Sequence, residues 1–113
     1  FVMDADLPQM ELYCEIGRVV SGRVEKGAAV AASEYLQAAY PAADGFSPRN
    51  LRRMRDFWQL YSDMPELLGE ALRLNWTQNV VIMETELTAE NRRWYIKQAA
   101  AQNLSKSELL RMI

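Results

Sequence analysis

GFSPRNLRRMRDF, residues 45–57, sets four arginines within seven positions, directly after a turn and a helix-start signal. Phe46 and Leu51 stand either side of Ser47 and Pro48, the arrangement of a hydrophobic staple around an N-cap with proline in the first turn. From that start, Leu51, Met54, Phe57, Trp58 and Tyr61 fall on one side of a helix. Arg49, Arg52 and Arg53 fall on the other, with Arg55 on the flank. The spacing predicts a helix that buries its aromatic and aliphatic side and leaves its guanidinium groups outside. The open question is whether those groups hold phosphates or are only the wet side of a helix.

Working outward, the same helical periodicity continues on both sides. Leu12, Tyr13, Ile16, Val19, Val20 and Val24 recur at three- and four-residue spacing, which predicts a helix from Leu7 to about Lys26, with Pro8 in its first turn and Gly27 ending it. Ala28 to Tyr40 is alanine-rich and predicts a second helix presenting Val30, Tyr35, Leu36 and Ala39, stopped by Pro41. A short helix opens at Pro65 and carries Leu67, Leu68, Ala71 and Leu72. In NWTQNVVIMETEL, Trp76, Thr77 and Val81 repeat the staple-and-cap pattern and we read a helix, although the β-branched run Val80, Val81, Ile82 also suits a strand. Thr88 caps a helix running through Trp94 and Tyr95 to about Gln102. Ser105 and Glu108 form a capping box and Leu104 and Leu109 a staple for a last helix. The prediction is an all-α fold of seven helices.

At 113 residues, half of them apolar, the chain is large enough to form a core as a single domain over 1–113 without disulfides or metals. Cys14 stands alone on an apolar face and reads as a core residue, so neither a disulfide framework nor a cysteine metal site is built. Histidine is absent, which removes the commonest general base and zinc ligand. Glu84, Glu86 and Glu90 lie close in sequence but point to different sides without a base beside them, and read as a solvated acidic turn. We therefore expect no catalytic residue, no metal and no cofactor. No apolar run spans a bilayer, and the acidic start FVMDADLPQM lacks the basic residues of a secretory signal, so a cytoplasmic protein without membrane contact is expected. An opening Phe1 in place of methionine leads us to expect a longer parent protein.

The net charge of −2 conceals segregation. Residues 1–47 hold three basic and seven acidic groups, 48–62 four and one, 63–91 one and six, and 92–113 five and one. Such blocks either bring two basic stretches to one surface or pair basic with acidic helices internally. In the last helix pair, Ala99, Asn103 and Leu109 have the small, turn and apolar residues of a DNA-binding helix-turn-helix, with Met112 continuing the packing face. Asparagine tolerates the left-handed backbone of such a turn. A plain helical hairpin with a well-capped second helix matches the same spacing.

ELYCEIGRVV, GFSPRNLRRMRDFWQLY, LNWTQNVVIM and RRWYIKQAAAQNLSKSELLRMI occur in the order and spacing found in the YhcG-type bacterial proteins, which the chain resembles from about Glu11 to Ile113. The most specific positions are Gly45, Phe46, Ser47, Arg49, Asn50, Leu51 and Met54, then Trp76, then Arg93, Trp94 and Tyr95 with Ser105. The resemblance implies a helical, helix-turn-helix-type module that contacts DNA or drives assembly ahead of a PD-(D/E)XK nuclease domain, which lies outside these residues. It departs at EKGAAVAA, where the family carries Gly-Trp-Gly, and at Asn103, Leu104 and Ser105, where it carries Gly-Trp-Ser.

Two expectations about function follow. In the first, Arg49, Arg52 and Arg53, helped by Arg92, Arg93, Lys97 and Lys106, neutralise nucleic-acid phosphates, and the helix after Ser105 offers its N-terminus. In the second, the domain forms a homodimer or docks the nuclease domain of the same protein, with Leu60 as an apolar contact among the arginines. The aromatic residues Trp58, Tyr61, Trp76, Trp94 and Tyr95 read as core, with a stacking role for one of them at most.

Overall fold

The computed structural model describes residues 8–23 and 26–113. Its elements are α1 (Gln9–Ser21), α2 (Ala28–Ala39), α3 (Pro48–Tyr61), α4 (Pro65–Ala71), α5 (Trp76–Glu84), α6 (Ala89–Gln102) and α7 (Lys106–Met112), and no strand occurs among the described residues. The all-α expectation holds, and the β-branched run of α5 is helical. The chain divides into two compact units, one ending at Leu60 and the other starting at Tyr61.

In the first unit, α1 starts on Pro8, whose carbonyl accepts from the Leu12 amide at 2.9 Å. It stops at Ser21, not near Lys26. Gly22 is a poor helix former, and the Arg23 amide turns back to the Val20 carbonyl at 3.1 Å, a tightened last turn. The predicted start at Leu7 and the apolar contribution of Val24 lie outside the described residues. Tyr13, Ile16 and Val20 are buried as the periodicity predicts, with Cys14 beside them; Met10 is buried as well, whereas Leu12 and Val19 of the predicted face are only half-buried.

The inner face of α2 corrects the prediction. Ala29, Ser33 and Leu36 are buried, whereas Tyr35 is 50% exposed and Ala39 is exposed. The Phe46 carbonyl explains the rotation. It is a buried acceptor, and it takes hydrogen bonds from the Ser33 hydroxyl and from the Gln37 amide at 2.9 Å. An unpaired buried carbonyl costs about 1–3 kcal/mol, enough to select the face carrying these donors from an alanine-rich helix with weak preference of its own.

Just before α3, Gly45 has φ +95°, and a side chain there would collide with the Tyr13 hydroxyl. The Asn50 amide donates to its carbonyl at 2.7 Å, holding the turn against the helix. Ser47 caps α3 as predicted, accepting from the Asn50 backbone amide at 3.2 Å, and both staple residues, Phe46 and Leu51, are buried. Leu51, Met54, Phe57 and Tyr61 are buried without exposure, and Trp58 is half-buried.

In the second unit, α6 packs on α4 and α5, and α7 packs on α5. The cap of α5 is Asn75, not Thr77. Its side chain accepts from the Gln78 amide at 2.7 Å while the Gln78 side chain accepts from the Asn75 amide at 2.8 Å, a reciprocal capping box. Gln78 is buried, and its side-chain amide also donates to the Leu104 carbonyl, tying the start of α5 to the turn before α7. Thr88 caps α6 through the Asn91 amide at 3.1 Å, and Ser105 caps α7 through the Glu108 amide at 3.2 Å. Leu104 and Leu109 are both buried, as their staple requires. No described helix is long and apolar enough to cross a membrane.

Candidate nucleic-acid interface

On α3 the buried stripe sends Arg49 and Arg52 outward, one turn apart and both exposed. Neither has an acidic group at salt-bridge distance among the described residues. Arg53 is half-buried and engaged within the protein. Arg55 bonds its neighbour Asp56, with Nη to Oδ1 at 3.1 Å. That exposed pair is worth little to stability, but it takes one positive charge out of the cluster. Leu60 is half-buried.

The second unit carries the remaining predicted cations. Arg93, Lys97 and Lys106 are exposed. Arg93 and Lys97 line a groove of about 450 Å³ with Met64, Pro65, Leu67 and two carboxylates of α4, Glu66 and Glu70. Arg92 is placed differently. It is half-buried, one Nη donates to the Leu87 carbonyl at 3.3 Å, and its Nε is buried without a partner. Nearby, burial pushes the Tyr61 phenol up to about 12, with the Arg92 charge pulling the other way.

The α6–α7 junction turns at Asn103, as the sequence predicts. Asn103 sits in the left-handed region at φ 50°, ψ 52°, and the Leu104 amide reaches the Ala99 carbonyl at 3.4 Å. Ala99 and Leu109 are fully buried. Met112 does not continue their packing face, for it is 40% exposed. α7 packs on α5, and Leu109 is the buried side chain of α7.

Trp94 also departs from the core expectation, standing 48% exposed on α6. Its ring meets Tyr95 edge-on, with centroids 4.9 Å apart at 88°, and the Tyr95 hydroxyl donates to the Met112 carbonyl at 3.0 Å. Periodicity could not find this, because Trp94 and Ile96 lie on opposite sides of one helix and either is apolar enough to be buried. The Asn75–Gln78 box, by contrast, was visible as an N-x-x-Q pattern ahead of an apolar run.

Chemistry-bearing residues are sparse. No group of three or more His, Cys, Asp or Glu among the described residues is placed to hold a metal ion. Glu84, Glu86 and Glu90 are exposed, as a solvated acidic turn would be. Cys14 is buried, and burial raises its thiol pKa, which suits a packed side chain rather than a nucleophile.

Fold and surface together define an all-helical module with exposed cations on α3 and α6. The family model described as the DUF1016 N-terminal domain matches residues 2–113, and the chain belongs to that family. No curated protein and no solved structure matches it.

Proposed function

We propose that the chain is a non-catalytic nucleic-acid-binding module whose phosphate contacts come from Arg49 and Arg52. Arg93, Lys97 and Lys106 serve on the second unit, whereas Arg53 is half-buried and already engaged within the protein. The observation that carries this reading is the exposure of the Arg49 and Arg52 guanidinium groups without acidic partners among the described residues, on a helix capped by Ser47 and buried on its other side at Leu51, Met54, Phe57 and Tyr61. Arginine in that state keeps its five donors for planar, charged oxygens. Arg92 is left out of the contact set, since its guanidinium serves the Leu87 carbonyl. With the resemblance to YhcG-type proteins, the reading extends to the DNA-contacting N-terminal part of a bacterial nuclease in the cytoplasm.

Fluorescence anisotropy with labelled duplex and single-stranded DNA at two salt concentrations tests it. Each phosphate contact contributes roughly 0.9 to the slope of log affinity against log salt on duplex DNA, so Arg49→Ala with Arg52→Ala should lower that slope by about 2. Absence of binding at low salt, or an unchanged slope in the double variant, refutes the assignment.

A second reading, a dimerisation or nuclease-docking module, draws on Leu110 and Met112, which are 55% and 40% exposed. Light scattering tests it. A dimer that Leu110→Glu or Leu60→Glu converts to monomer would support it, and a wild-type monomer would remove the homodimer.

A further inference from the structure

α6 turns Ile96 and Ala99 fully inward, and Trp94 emerges on the opposite side of the same helix. With 48% of its surface exposed, the indole leaves about half of its area outside the packing of this unit. Its position is nevertheless fixed. Tyr95 supports the indole edge-on at 4.9 Å, and Tyr95 is itself anchored across to α7 by its bond to the Met112 carbonyl. The neighbouring outward positions leave the ring accessible. Ala101 lies two turns on and is small, Lys97 stands one turn on, and Arg93 adjoins, all exposed. Glu90, one turn before, is the carboxylate of α6 among these neighbours; Glu66 and Glu70 of α4 share the groove that Arg93 and Lys97 line, without a salt bridge to either.

We infer that Trp94 is a stacking platform for an unpaired base of a single-stranded nucleic acid, with Lys97 and Arg93 taking the flanking phosphates. The inference rests on the nucleic-acid reading above and narrows its ligand. A base inside a duplex has both faces covered by its neighbours, and only an unpaired base presents a π-face to an indole. Charge selects the occupant. An aromatic anchor for a protein partner sits within an apolar patch, whereas the exposed positions around Trp94 on α6 are Glu90, Asn91, Arg93, Lys97 and Ala101, the exposed apolar side chains Leu110, Met112 and Ile113 standing on or just after α7. An indole beside an ammonium and a guanidinium matches the alternation of base and phosphate along a strand.

The test uses labelled oligothymidylate of about twelve nucleotides, within the usual site sizes for single strands, and a duplex of equal length. Trp94→Ala should weaken oligothymidylate binding about 5- to 100-fold, in keeping with one lost stack. Trp94→Phe should retain most of the affinity, and duplex binding should be unchanged by either. Quenching of tryptophan emission by oligothymidylate should disappear in Trp94→Phe. Circular dichroism of the variants verifies that the fold is kept, as expected for an exposed side chain. If wild-type protein binds duplex and Trp94→Ala binds oligothymidylate equally well, the platform is refuted while the phosphate reading stands. If wild-type protein binds neither, both fall. A shift from dimer to monomer on Trp94→Ala, with no change in nucleic-acid affinity, assigns the indole to a protein interface and overturns the inference.

Discussion

Replacing Gly17 by alanine should loosen the first unit, although alanine is the better helix former. A Cβ at position 17 would lie 2.7 Å from the Met54 carbonyl carbon, closer still to its oxygen, and 3.2 Å from the Trp58 Cβ. The obstructing atoms are backbone of α3 and cannot rotate away. Restoring ordinary contact requires the helices to separate by roughly 1 Å, with an overpacking cost near the upper end of the usual range, about 3 kcal/mol. The gain in helix propensity returns at most about 1 kcal/mol. A net loss of about 2 kcal/mol is a large share of the ~5–15 kcal/mol that stabilises a domain. With a urea slope of about 1–3 kcal/mol per molar, the midpoint should fall by about 1 M. Gly69→Ala supplies the control. Gly69 is in α4 with nothing within 4 Å of its Cβ position, so the same exchange there should stabilise by about 0.5–1 kcal/mol. Equal or greater stability of Gly17→Ala over wild type would mean that α1 and α3 do not meet backbone to side-chain stub at this point.

Gln78→Ala removes one half of the α5 capping box and strands the Leu104 carbonyl, and should cost about 1–3 kcal/mol in thermal or urea unfolding. A loss below about 0.5 kcal/mol would show that another donor reaches that carbonyl. Alkali should destabilise the protein through Tyr61. Its folded pKa of about 12 exceeds the ordinary value of 10.0, so the contribution is intact below pH 10 and is lost as pH rises toward 12. The expected loss is about 2–3 kcal/mol across that window. Unfolding measured against pH should show it in wild type and show a shallower fall in Tyr61→Phe; equal slopes would reject burial as the cause.

Much of the architecture was legible because its signals are local. Ser47, Thr88 and Ser105 each cap a helix through the amide three residues on, a geometry set within a single turn. The two faces of α3 were readable because its apolar positions, Leu60 apart, form one stripe and its charged positions another. The phosphate-facing candidates Arg49 and Arg52 followed directly from that stripe. Arg92 and Arg93 were not separable in the sequence. Adjacent on α6, they differ by a rotation that takes the first toward the Leu87 carbonyl and leaves the second outside.

By itself, the amino-acid sequence determined that the chain is helical, where most of its helices begin, and which side of α3 faces water, since capping and periodicity act over a few residues. Tertiary structure alone decided that Ser33 rather than Tyr35 faces inward on α2, that Gly17 is needed where Met54 passes, and that Trp94 stays in water. Each of these depends on what a distant segment brings to the helix. The Phe46 carbonyl demands a donor, the backbone of α3 leaves no room for a Cβ, and the inward side of α6 is already filled by Ile96 and Ala99. A helix with several plausible apolar faces acquires a single inner one only when its neighbours arrive.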